Sequence, residues 1–134
     1  MALTATLEFG NKKFDVKELD YEISLPYNNS RKPSGVPQGG EISFTILSPK
    51  KDNLLFHDWL LNSKDNAMSG KFILPLTHNT EYMEKVVEFK NAYCVRIHES
   101  YNSKNTSQLY MRITISAGII DFGGAVYKNN NLTI

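Results

Sequence analysis

The chain has 134 residues, of which 41% are hydrophobic and 22% charged, with a formal net charge of +1. That length suits one domain, residues 1–134, with a real core, in the composition range of soluble globular proteins. Near-neutral charge gives no overall case for nucleic acid or an anionic membrane; no apolar run approaches the ~20 residues of a membrane span; and the single cysteine, Cys94, excludes an internal disulfide and a multi-cysteine metal site.

The chain opens in alternation. Over residues 3–9, Leu3, Ala5, Leu7 and Phe9 share one parity and Thr4, Thr6 and Glu8 the other, which predicts a strand with one buried face. This start has no basic region, apolar h-region or cleavage site, so no cleaved secretory signal is expected. Phe14 and Val16 begin a second strand. Leu19, Tyr21, Ile23 and Leu25 continue it in the opposite phase, so a β-bulge or bend is expected at Lys17-Glu18.

Residues 26–40 follow as a long segment rich in breakers, ending in "RKPSGVPQGG". Gly35 and Gly40 have nearly the spacing of a phosphate-binding loop. However, Glu41 stands where that loop needs lysine and Ile42 where it needs a magnesium-holding hydroxyl, and a carboxylate there would repel phosphate. Gly39-Gly40 instead supplies positive φ for a tight turn into the next strand, where Ile42, Phe44 and Ile46 alternate with Glu41, Ser43 and Thr45.

One helix is predicted, over "SPKKDNLLFHDWLLNS", with Ser48 or Asp52 as cap and Leu54, Leu55, Trp59 and Leu61 near helical spacing. It is short, so packing on a sheet must hold it, with Trp59 and Leu55 as anchors. Strands resume at 70–76 and at 83–100, where Val87, Phe89, Tyr93, Val95 and Ile97 share a parity. Over 108–117, Leu109, Met111, Ile113 and Ile115 are expected to face inward. The fold class is mainly β: a barrel or sandwich of about seven to nine strands, one short helix on its flank and a long extended loop.

The residues carry little chemistry. His57, His78 and His98 are dispersed and lack metal-ligand spacing. Cys94 lies mid-strand, where a buried, inert thiol is expected. There is no nucleophile elbow and no convergent acid pair. The sequons at Asn28, Asn105 and Asn131 are what a chain this rich in Asn, Ser and Thr contains by chance. No catalytic, cofactor or metal site is expected, and the protein's work falls to its surfaces.

The ordered pieces "DYEIS" (20–24), "RKPSGVPQGGEISFTI" (31–46), "DNLLFHDWL" (52–60), "VVEFKNAYCVRIHESY" (86–101) and "ITISAGIIDFGG" (113–124) resemble the Hcp family, the tube proteins of bacterial type VI secretion systems, most closely the TssD form of Bacteroidetes-type systems. The hairpin segment 73–82 and the tail after Tyr127 have no counterpart in that resemblance. It implies a β-barrel whose copies close into hexameric rings that stack into a tube, with sheath, baseplate or spike, and effector proteins as partners. It also implies synthesis in the bacterial cytoplasm and export by the apparatus itself. The loop between the second and third strands would contact neighbouring subunits or rings, through Arg31, Pro33, Ser34, Gly35, Val36, Pro37, Gln38, Gly39 and Gly40. Two alternatives stay open at this point: a tube protein of a related contractile particle such as a phage tail or extracellular injection system, and a monomeric ligand-binding barrel.

Overall fold

The computed structural model describes residues 4–33, 35–48, 54–62, 67–104 and 108–128. Alternation at the start produces strand β1 (Ala5–Phe9), which turns Leu7 and Phe9 inward and pairs antiparallel with β2 (Lys12–Tyr21). The expected phase slip is a register shift against β3 (Glu41–Leu47): pairing steps from Val16↔Ile46 to Glu18↔Thr45, leaving Lys17 as the extra residue. One inserted residue flips the parity of everything after it, which brings Leu19 and Tyr21 to the core side.

The remaining strands are β4 (Met68–His78), β5 (Glu81–Asn102), β6 (Gln108–Asp121) and β7 (Val126–Lys128). Their order is β3-β2-β1-β4-β5-β6-β7, and β6 also pairs back onto β3 from Glu41↔Ser116 to Leu47↔Tyr110. Six antiparallel strands therefore close into a barrel, with β7 attached to the far end of β6. The sequence suggests many unprotected strand edges; closure removes most of them. Among the described residues, edges persist on β5 before Glu88, where pairing with β6 has not begun, on β4 beyond Ile73, where pairing with β1 has ended, and on the outer side of β7. Pro75 sits where β4 has run past its pairing with β1, which reaches Thr6↔Ile73, so its missing N–H interrupts no ladder there.

The parity expected for β5 changes partway along. Val87 and Phe89 are buried, but Asn91 adopts φ +54 and the inward positions pass to Ala92 and Cys94. A second register shift between Cys94 and Arg96 then returns Ile97 to the core side. Tyr93 and Val95 consequently lie off the core side, and Val95 is exposed. β6 behaves as its alternation predicts, with Met111, Ile113 and Ile115 fully buried.

Helix α1 (Leu55–Leu61) has Leu54 at its N-cap with no side-chain cap bond. Ser48 is not the cap: its backbone N–H donates to the Leu109 carbonyl at 2.8 Å beside the end of β3, and Asp52 lies outside the described residues. The inward face also differs from the leucine spacing. Phe56 and Trp59 are buried, Leu55 is half-buried, and Leu54 and Leu61 point to solvent. With apolar residues at almost every position, ring volume decides: the barrel offers Phe9 and Phe14 either side of the β1–β2 turn, and aromatic partners fill that space best.

The result is a chain of rings through the interior. Trp59 lies 4.8 Å from Phe9, Phe9 5.9 Å from Phe56, and Phe56 6.2 Å from Phe44. Phe44 then meets Phe72 at 5.1 Å, and Phe72 meets Phe89 at 5.6 Å. The barrel is thus filled with side chains. Its two ends differ: α1 covers the end with the β1–β2 turn, and the segment 22–40 and the β4–β5 hairpin project from the other.

Candidate assembly surfaces

The segment between β2 and β3 is a narrow ribbon rather than an irregular loop. Ser24 and Gln38 exchange both backbone bonds, at 2.8 and 2.6 Å, and Tyr27 bridges to Pro33. The tip is an Asx-type turn. Asn28 Oδ1 accepts from the N–H groups of Ser30 (2.9 Å) and Lys32 (3.1 Å), while Arg31 sits at φ +63. Pro33 and Pro37 hold the returning strand near extended geometry. At the base the chain doubles back closely enough that a Cβ on Gly39 would fall 2.9 Å from the Glu22 carbonyl oxygen, and Gly40 has φ +98. The second of these is the positive φ expected from the glycine pair. Gly35, at φ +87, faces open space.

What this arm presents is apolar. Ile23, Leu25 and Tyr27 follow one another at alternate positions, Tyr27 is 72% exposed, and Val36 on the return is 58% exposed. Leu25, Tyr27, Arg31 and Pro33 line a concave surface with Asn28 and Asn29. Of the loop residues singled out from sequence, Arg31, Pro33, Gly35, Val36, Pro37 and Gln38 are exposed on the ribbon, Gly39 is exposed at its base, and Gly40 is buried. Ser34 lies outside the described residues. The alternation through Ile23 and Leu25 predicts a continuation of the second strand; β2 instead ends at Tyr21, and Ile23 and Leu25 lie exposed on the outgoing limb of the ribbon, followed by Tyr27.

A second surface is the outward face of β2, β3, β6 and β5. Its centre is small and hydroxylated: Ser43 and Thr114 share a hydrogen bond of 2.9 Å. Arg112 donates to Thr45 Oγ1 at 3.3 Å and pairs with Asp20 at 3.0 Å. Glu41, Ser116, Arg96 and His98 extend the same polar rows.

Reactive groups are occupied structurally. Cys94 is buried, and burial pushes its thiol up to about 11, only partly opposed by the Arg96 backbone N–H, so it is not a thiolate at neutral pH. His57 Nε2 lies 2.8 Å from Glu99 Oε1, tying α1 to β5. Asp121 accepts from the N–H groups of Gly124 (2.8 Å) and Gly123 (2.9 Å), which hold its carboxyl below the usual range. Among the described residues, no group of three His, Cys, Asp or Glu side chains is arranged to hold a metal, and no helix is long and apolar enough to cross a membrane.

Comparison with known proteins bears on these surfaces. The fold matches Hcp1 from Flavobacterium johnsoniae with a TM-score of 0.78 at 23% identity, covering 95% of this chain and 100% of that one. Hcp1 from E. coli EAEC 042 matches with a TM-score of 0.69 at 11% identity, over 96% of this chain and 98% of that chain. The secreted protein Hcp3 from Pseudomonas aeruginosa gives 0.61 at 10% identity, over 96% and 97%. No curated protein matches the sequence. The family model for hemolysin coregulated protein Hcp (TssD) matches residues 1–130, nearly the whole length, and the chain therefore belongs to the TssD family.

Proposed function

We propose that this chain is the tube subunit of a type VI secretion system. Six copies close into a ring with a central channel, the rings stack into a tube inside a contractile sheath with a baseplate or spike as further partners, and effectors travel in the channel. Made in the bacterial cytoplasm, it leaves through the apparatus. Family membership carries the reading. The arm agrees with it, since a stiffened ribbon with Tyr27 and Val36 in water is suited to contact with a neighbour. The interior is a chain of packed rings rather than a ligand chamber, which speaks against the monomeric ligand-binding alternative. Ring closure needs heterologous contacts, one surface meeting a different one. On this reading the hydroxyl-rich face around Ser43, Thr45 and Ser116 lines the channel, with the buried Thr114 hydroxyl bonded to Ser43 beneath it, because small polar side chains let cargo pass without tight binding.

Light scattering coupled to size exclusion tests the ring. The expected mass is about six times the 15.2 kDa protomer. A monomer persisting at millimolar concentration removes the reading.

A further inference from the structure

We infer that the cleft beneath the β4–β5 hairpin receives the outer stripe of helix α1 from a second copy of this chain, an inference that rests on the chain stacking as proposed. The hairpin is rigid. Its two-residue turn, Asn79-Thr80, holds φ +51 and +68, the mirror-image geometry that matches strand twist, and β4 and β5 stay paired up to it. Past the barrel, the core side of this ribbon continues with Leu74, then Leu76 opposite Met83; Leu76 and Met83 are exposed. Facing Leu74 and Leu76 across an open groove of about 320 Å³ are Val16 and Leu19 at the β2 bulge, with Met83 beside Leu76 on the neighbouring strand. Apolar walls left open at a barrel end await an occupant.

The complementary surface lies at the opposite end of the same molecule. With Phe56 and Trp59 turned inward, Leu54, Asp58 and Leu61 form an outward stripe at i, i+4 and i+7, with Leu54 62% and Leu61 75% exposed. The stripe is about 10 Å long. It carries an acid between two leucines. Lys17 and Glu18 line the groove, Lys85 stands opposite Leu74 on the same face with its Nζ 6.0 Å from the centre of the Tyr21 ring, and Glu81 lies nearer the tip. Asp58 meeting Lys85 fixes register, and the leucines supply the contact area. Because stripe and groove occupy opposite ends, the contact cannot close within one copy or between two. It repeats head to tail along an axis.

Cysteine pairing tests this directly, since the native Cys94 is buried. Leu61→Cys and Met83→Cys are made separately, each checked for an unchanged melting temperature, then mixed and oxidised at a concentration where the wild type stacks. The expected result is a disulfide between the two variants in the mixture and none in either alone. Disulfides in Met83→Cys alone would mean hairpin meets hairpin and overturn the inference. So would no disulfide in a mixture that still stacks, with the tube reading intact. A wild type that never assembles would fell both. Charge reversal gives a second readout: Asp58→Lys should raise the protein concentration needed for stacking a few-fold, and Lys85→Glu in the same chain should restore it.

Discussion

Two segments inserted between strands, α1 after β3 and the arm after β2, treat their apolar residues in opposite ways. The helix drives Phe56 and Trp59 into the barrel interior, where they join Phe9 and Phe44. The arm satisfies its own backbone through the Ser24–Gln38 pair and the Asn28 turn, and leaves Ile23, Leu25, Tyr27 and Val36 in water. The helix cannot exist without the barrel, being too short to be stable alone. The arm contributes little to the core. Apolar surface that folding does not use, held on a stiff ribbon, is available for association at a low entropic cost. One insertion therefore serves the stability of the protomer and the other its contacts.

The comparison is broken most severely at Trp59. Trp59→Ala removes a ring that is 1% exposed and lies tilted against Phe9 at 4.8 Å, and should destabilise the protomer by about 3–5 kcal/mol. That is a large share of a small domain's stability, so denaturant melts should show it at once. An unchanged midpoint would mean that α1 is not an integral part of the core.

The junction between the two regions comes next. Gly39→Ala sets a methyl 2.9 Å from the Glu22 carbonyl oxygen at the base of the arm. The backbone there must shift, at a cost of about 1 kcal/mol or more. Both the melting temperature and assembly should suffer, because this glycine belongs to the fold and aims the ribbon. Full assembly at wild-type stability would show that the arm tolerates being redirected.

How far these regions could be read from sequence follows from how local their signals are. Strict alternation revealed β1, β3 and β6, and the phase slip at Lys17 revealed a bulge, since each is a property of neighbouring residues. β5 misled because its parity turns on the φ of Asn91 and on the shift after Cys94, and nothing adjacent announces either. Tyr93 and Val95 share the sequence parity of Val87 and Phe89 but not their face. The helix face was ambiguous for another reason: five of the seven residues Leu55–Leu61 are apolar, and the choice was made by Phe9 and Phe14, distant in sequence. Residues 31–40 were legible as an organised loop through their prolines and glycines, whereas the hairpin pairing that makes the segment a ribbon was not.

A smaller effect on stability, with a larger one on association, is expected in the arm. Replacing Val36-Pro37-Gln38 by Gly-Ser-Gly keeps the backbone bonds between positions 24 and 38 and removes an exposed valine and a stiffening proline. Unfolding free energy should move by no more than about 0.5 kcal/mol. Rings or tubes seen by electron microscopy should become scarce. Normal tubes from this variant would show that the arm's apolar residues are not contacts, and the contrast with α1 would lose its functional half.

The smallest effect should lie at Asp121, in the turn that carries β6 into β7 at the arm end. Its carboxylate is held below the usual range chiefly by the Gly124 N–H, then by the Gly123 N–H, against a smaller opposing effect of burial, with the charge of Lys90 adding least. A group whose folded pKa is depressed stabilises the native state above the ordinary carboxylate range, and that contribution fades as pH falls through the depressed value. Hydrogen exchange of the Val126 and Tyr127 amides should therefore be slower in the wild type than in Asp121→Asn at neutral pH. The two proteins should converge as pH falls through the depressed value, where the wild-type carboxyl also becomes neutral. This turn borders the barrel end through Phe122, whose ring lies 5.2 Å from Tyr21, the last residue of β2 before the arm. A loosened turn should thus weaken assembly at acid pH while leaving the helix end untouched. Equal exchange in both proteins at neutral pH would show that the two glycine N–H bonds do not hold the turn, and that the arm end depends on its ribbon alone.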